Sequence, residues 1–302
     1  MADTAAQNAG TIRNRGQGKR RAGTSSPPVP GFVRGAARTL SAVAPALAAI
    51  WLERLFLTPR RYRMPDREKV WTVGAEVWHI PFDADRLMSL YAWGQGPVVL
   101  LAHGFSGRGS QMGAYIAPLV ARGYRVVTFD APAHGAAGGR QTALPEAAEA
   151  ICTVAAHLGP LAGVIAHSNG AAATSVALSQ GMDCARVAYV SPPEDLDRFL
   201  NGVARFLGFT GAVAARTRAR VETRYGVGFD ALRGAPLAAR QSIPALIAHD
   251  RADPMVPFAD GQRIAEAWPG AELIETEGLG HARILRDPGV VAAVVAFVAP
   301  DA

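Results

Sequence analysis

"GVIAHSNGAAA", residues 163–173, runs from apolar side chains through a single serine between two polar residues into a patch of very small ones. The run at 161–166 (LAGVIA) has the continuous apolar character of a short buried strand. The stretch at 170–180 (GAAATSVALSQ) is Ala-rich and fits a helix. Joining a strand to a helix within about two residues forces a strained turn whose central residue projects above the sheet, and small neighbours let the helix lie against the strand. Ser168 at the tip is a candidate nucleophile. The stretch alone leaves an ordinary serine in a strand–helix turn as the alternative. The pattern approaches Gly-x-Ser-x-Gly, with Ala166 in place of the first glycine.

Outward from this turn, from about residue 70, strand-like and helix-like segments alternate. Segments 70–80 and 86–94 read as an antiparallel pair, and short apolar strands are expected at 97–103, 124–130, 161–167, 186–192, 244–250 and 271–276. Helices are expected near 110–121, 144–158, 170–180, 258–268 and 287–299. Such alternation implies an α/β fold, a mostly parallel sheet of about eight strands flanked by helices. About fifty residues separate the strands at 186–192 and 244–250. They contain EDLDRFLNGVARFL and GAVAARTRARVETRYG, two amphipathic helix candidates that read as a short helical lid inserted at 193–240.

Composition bounds the rest. Of 302 residues, 49% are hydrophobic, enough for a substantial core. Residues 1–63 carry eleven Lys/Arg against Asp3 and Glu53, whereas the whole chain carries +6, so residues 64–302 are net −3. The basic character belongs to the N-terminus, and no nucleic-acid partner is expected for the folded part. Residues 1–35 read as a disordered basic tail and 36–63 as an amphipathic helical segment, with the main domain at 64–302. In 36–57, Leu40, Val43, Leu47, Ile50, Trp51 and Leu55 recur at helical spacing, and Pro45 either interrupts one helix or starts a second. The 14-residue uncharged run between Arg38 and Glu53 is too short to cross a bilayer. Docking on the folded body is the first reading of this segment, and contact with a membrane surface is the second. Cys152 and Cys184 show no metal-ligand, redox or disulfide spacing, which fits a reducing cytosol. A basic N-terminus with few acids also fits an organellar transit peptide in a eukaryotic source.

In an open parallel sheet, ligands bind beyond the carboxyl ends of the strands. Five segments stand there: "AHGFSGRGSQM" after 97–102, "DAPAHGAAGG" at 130–139, Ser168, "RADPMVP" with Asp253, and "EGLGHARIL" with His281. A serine, an acid and a histidine thus follow separate strands in that chain order. Taken together, "HGF", "DAPAHG", "AHSNG", and "DPMVP" followed by "GLGH" resemble the α/β-hydrolase family, small-cap serine hydrolases of the esterase, lipase and peptidase group. The resemblance covers about 70–300. It implies Ser168 as nucleophile, His281 as base, Asp253 as the acid orienting it, and backbone N–H groups of Phe105 and Asn169 as the oxyanion hole. It also implies a small-molecule ester or acyl substrate, with no cofactor and no metal. Two positions depart from the family pattern: Ala166, and Ala133 where a glycine is common.

Rival roles remain open at several residues. Asp250 is the alternative acid. His103 and His134 read as loop-structuring, and His249 as structural. Gly104, Arg108, His167 and Phe206 are candidate pocket residues. For Arg108 the competing reading is a solvated loop arginine, and for His167 packing beneath the turn. Phe199, Leu200, Val203, Phe206 and Leu207 form an apolar stripe that either lines an acyl pocket or packs the lid.

Overall fold

A computed structural model describes residues 29–300, so most of the expected tail, residues 1–28, lies outside the described residues. The chain is already helical at Gly31. Helix α1 spans Gly31–Val43 and α2 spans Pro45–Leu57. The helical segment therefore starts ahead of residue 36, because the Pro30 carbonyl accepts from the N–H groups of Val33 and Arg34 and opens the first turn. Pro45 begins the second helix rather than kinking one. At the first helical position its missing N–H costs nothing.

Residues 70–80 form less strand than expected. Helix α3 (Asp66–Lys69) is followed by a 3₁₀ turn at Val70–Thr72, and strand β1 covers only Glu76–Pro81. Gly74 at φ 72° breaks the extended run, while Trp71 packs where a Cβ on Gly113 would stand. Then come β2 (Leu87–Trp93), β3 (Val98–Ala102), a 3₁₀ segment at Gly109–Tyr115, α4 (Ile116–Ala121), β4 (Arg125–Phe129), α5 (Leu144–Leu158), β5 (Leu161–His167) and α6 (Asn169–Ser179). The second half contains β6 (Val187–Val190), α7 (Leu196–Leu207), α8 (Gly211–Tyr225), α9 (Gly234–Ala238), β7 (Ala245–Asp250), α10 (Phe258–Ala267), β8 (Glu272–Thr276), α11 (Gly280–Arg283) and α12 (Pro288–Val298).

The eight strands make one sheet in the order β1-β2-β4-β3-β5-β6-β7-β8. β2 runs antiparallel to both β1 and β4, and β3 to β8 are parallel. β4 lies on one side of β3 and β5 on the other, so the chain order reverses there. Such a reversal opens a crevice at the carboxyl ends of the strands. The ends of β3 and β5 carry Gly104–Phe105 and Ser168. One sheet face packs on α5, α6 and α9 through side chains such as Ile151, Val154, Val176 and Leu237, and the other on α4 and α12 through Leu119, Val294 and Val298.

A third apolar cluster lies apart from both. It joins Ala48, Ala49, Leu52 and Phe56 of α2 to Leu200 and Ala204 of α7 and Val213 and Val221 of α8. The N-terminal helices thus dock on the inserted helices, with α2 lying along α8. α9 does not belong with them, although it falls inside the expected lid at 193–240. It packs against α6 and α10, and Leu237 and Ala238 join the core under the sheet.

Candidate active site

Ser168 occupies the turn between β5 and α6 at φ 51°, ψ −122°, a strained conformation for a residue with a side chain. Its N–H donates to the Val190 carbonyl at 2.9 Å, tying the turn to β6. The small neighbours are required by contact. A Cβ on Gly170 would stand 2.6 Å from the carbonyl oxygens of Ala102 and His103, and one on Gly104 would stand 3.1 Å from the Ser168 Cβ. Ala166 lies within the parallel ladder between Ala102 and Tyr189, so its methyl is accommodated. Ala133 differs. It sits at φ 65°, where glycine is favoured, and is held there by hydrogen bonds from its N–H to Gly138 and from Arg61 to its carbonyl.

The loops after β7 and β8 bring the other two groups to the serine. His281 Nε2 lies 3.1 Å from Ser168 Oγ, and His281 Nδ1 lies 2.7 Å from Asp253 Oδ2. Asp250 does not reach the imidazole. Its carboxylate accepts from Ala252 N–H, Leu279 N–H and the Thr276 hydroxyl, which fixes the loop that carries His281. Burial pushes the Asp253 carboxyl up, but the close approach of His249, the hydrogen bond from His281 and that from the Val256 N–H outweigh it, so the group is held well below the usual carboxylate range. His249, fully buried, lies behind Asp253 with Nε2 3.6 Å from Oδ2 and 3.1 Å from the Val256 carbonyl.

Three more buried histidines shape the surroundings without reaching the serine hydroxyl. His103 donates through Nδ1 to the Gly104 carbonyl and accepts the Ala131 N–H at Nε2. His134 donates through Nδ1 to Pro132 and accepts the Ser106 N–H. Both are thereby loop-structuring. His167 packs beneath the turn, its ring 4.7 Å from that of His281, with Nε2–H directed to the His281 carbonyl. Burial, above all, lowers these three groups to about 4 for His103 and about 3 for His134 and His167. They stay neutral beside the serine.

A cavity opens beside Ser168, Asn169 and Phe105. Gly104, Arg108, His167 and Phe206 do not line it. Gly104 is spent on the close approach to the serine. Arg108 is buried, with Nε 3.7 Å from Glu68, away from the cavity. Phe206 lies two helical turns beyond Phe199, about 10 Å along α7. It borders an outer groove with Met255 and Pro257 instead, whereas Phe199 borders both spaces. Local sequence carried no signal for two lining residues, Phe56 and Leu57, which come from the end of α2. Neither the Phe105 nor the Asn169 N–H donates to a protein group among the described residues. For Asn169 this follows from its place as the first residue of a helix. The described residues contain no group of three or more His, Cys, Asp or Glu arranged to hold a metal ion. Cys152 and Cys184 are free thiols.

The model of the alpha/beta hydrolase family matches residues 98–294, and the chain belongs to that family. No curated protein matches it in sequence. Among solved structures, it is similar to the Pyrococcus furiosus esterase Pf2001 (TM-score 0.60, 21% identity, covering 80% of this chain and 98% of that one). It is also similar to a bromoperoxidase from Bacillus anthracis (TM-score 0.59, 16% identity, covering 75% and 100%). A thioesterase domain from the curacin biosynthetic pathway has a TM-score of 0.55 at 16% identity, covering 76% and 100%. At these identities the likeness is one of fold, and the differing chemistries named for these proteins show that the fold alone does not choose the reaction. Among the described residues, no helix is long and apolar enough to cross a membrane.

Proposed function

We propose that this protein is a serine hydrolase that cleaves carboxylic esters of small or medium acyl groups through an acyl-enzyme. The observation that carries this reading is the Ser168–His281–Asp253 relay, 3.1 Å and 2.7 Å, facing an apolar cavity. A serine hydroxyl is a weak nucleophile until an imidazole takes its proton. His281 Nε2 accepts that proton as Ser168 Oγ bonds to the acyl carbon, while the ionised Asp253 fixes the tautomer with the proton on Nδ1 and stabilises the imidazolium. The oxyanion of the tetrahedral intermediate is received by the N–H groups of Phe105 and Asn169. The proton on His281 then passes to the departing alkoxide. Water, deprotonated by the same imidazole, releases the acid in the second half-reaction, so the chemistry balances with water alone.

Thioesterase, amidase and peptidase activities would use the same groups. The apolar lining favours acyl over peptide substrates. The test is a panel of p-nitrophenyl esters of graded chain length, with matched thioesters and anilides, beside labelling by a fluorophosphonate. Ester turnover with the label on Ser168 is expected. Ser168→Ala should abolish labelling and lower kcat by about 10⁶, because the triad acts as a unit. An unlabelled wild-type protein that turns over nothing would make it a noncatalytic binding protein of this fold.

A further inference from the structure

The wall of the cavity beside Ser168 includes residues that precede the family's own span. Phe56 and Leu57 close one side of the space, although the family match begins only at residue 98. Both are held from two directions. The Phe56 ring lies 5.9 Å from that of Phe199 on α7, and the Leu57 carbonyl accepts the Thr142 N–H at 2.9 Å. One turn earlier, buried Glu53 pairs with Arg220 at 2.5 Å and Arg224 at 3.4 Å on α8, and the Thr217 hydroxyl donates to the Ala49 carbonyl. Just downstream, Arg61 donates to the carbonyls of Ala133, Ala137 and Gly139, and the Arg60 N–H donates to Ser106 Oγ, beside Phe105. Residues 49–61 are therefore fastened to the inserted helices at one end and to the loops around the serine at the other. The position of Phe56 and Leu57 is built in.

The chemistry of the lining is equally specific. Among the described residues its one charged side chain, Glu194, is paired with Arg233 at 2.9 Å, and the Tyr225 hydroxyl is directed to Glu146 at 3.5 Å. No cation among the described residues lines the space to neutralise a charged acyl group. Building on the serine-hydrolase reading, we infer that the cavity takes an uncharged aliphatic acyl chain and that Phe56 and Leu57 are the residues that measure its length. The N-terminal helices are on this account part of the substrate site, and the inserted helices alone do not complete it.

Two substitutions should move the acyl profile in opposite directions. Each additional CH₂ buried is worth about 0.8 kcal/mol, or about fourfold in kcat/KM. Phe56→Ala lengthens the space and should raise the decanoate-to-butyrate ratio of kcat/KM at least about tenfold. Leu57→Phe shortens it and should lower that ratio by a similar factor. Phe56→Leu gives the smaller version of the first shift should the alanine variant fold poorly. p-Nitrophenyl hemisuccinate should be turned over at least about tenfold more slowly than the butyrate. The variants are assayed as full chains, with fluorophosphonate labelling of Ser168 measured in each. Labelling retained with an unmoved chain-length ratio, or with both variants moving it the same way, would overturn the assignment of Phe56 and Leu57. Hemisuccinate turned over as fast as butyrate would overturn the uncharged class. Loss of labelling in the wild-type protein would instead bring down the serine-hydrolase reading itself.

Discussion

The two halves of the site are fixed by different physics. Ser168 and Asp253 stand on short turns directly after parallel strands, His281 stands on the short helix α11 just beyond β8, and close-packed backbone and buried hydrogen bonds hold them. Around the cavity beside Ser168, part of the wall comes from α2, α7 and α8, which meet through one apolar cluster and through arginine–carboxylate pairs, Arg218 with Asp197 and Arg220 and Arg224 with the buried Glu53. The first region resists small changes because each turn is over-determined by the sheet. The second depends on a contact between segments far apart in sequence. On the proposed function, chemistry and selectivity are separable in this molecule, and substitutions should sort accordingly.

The sharpest test of that separation lies in the body. Asp253→Asn should lower kcat by about 10⁴ through loss of the correct imidazole tautomer, with little change in acyl preference. Asp250→Asn should lower kcat by less than about 10² and lower the melting temperature instead, because its carboxylate organises the loop and not the imidazole. Steady-state kinetics and thermal melts of both variants decide this. A reversal would mean that Asp250 orients His281 in solution.

Acid should break the body before the cap. In the fold His103, His134 and His167 stay neutral down to about 4, 3 and 3, whereas in the unfolded chain they take protons below about 6.5. The unfolded chain therefore binds more protons, and stability falls as pH drops from about 6.5 towards 4. Each histidine contributes a slope of about 1.4 kcal/mol per pH unit, fully present below about pH 5.5. Urea unfolding at pH 7.5, 6 and 5 should show it, and His134→Gln should flatten the slope by about a third. A slope unchanged in that variant would show that His134 is not kept neutral by the fold.

The cap should respond to salt instead. Glu53→Gln removes the partner of Arg220 and Arg224, and both arginines are nearly half exposed, so the expected cost is about 1 kcal/mol. Hydrogen exchange of the α2 amides should rise in this variant, and the difference should shrink at high ionic strength. Equal exchange in both proteins would place the hold on α2 in the apolar cluster alone. The smallest effect is expected at Phe206, which is 43% exposed and lies on the outer groove. Phe206→Ala should leave the acyl profile unmoved and stability within about 0.5 kcal/mol. A shifted profile would extend the acyl site across Phe199 into that groove.

The sequence by itself determined the alternation of strands and helices, the strained turn at Ser168 and the order of serine, acid and histidine. The strands and the turn are written in a few adjacent residues each, and the order of serine, acid and histidine in segments that follow separate strands. The strands at 161–167 and 244–250 are continuous apolar runs, and Gly170 is small because two carbonyl oxygens leave no room for a side chain. Only the tertiary structure decided which aspartate meets His281. Asp250 ends β7 and Asp253 lies three residues on, in the loop that follows, and hydrogen bonds accepted from Ala252, Thr276 and Leu279 hold the first away from the imidazole. It alone also decided that Phe206 faces outward, that Arg108 is buried against Glu68, and that Phe56 and Leu57 line the cavity beside Ser168. The first and last of these depend on how α2, α7 and α8 pack, and the burial of Arg108 on how α3 meets the loop after β3. Packing joins residues with no periodic relation along the chain, so no local pattern encodes it.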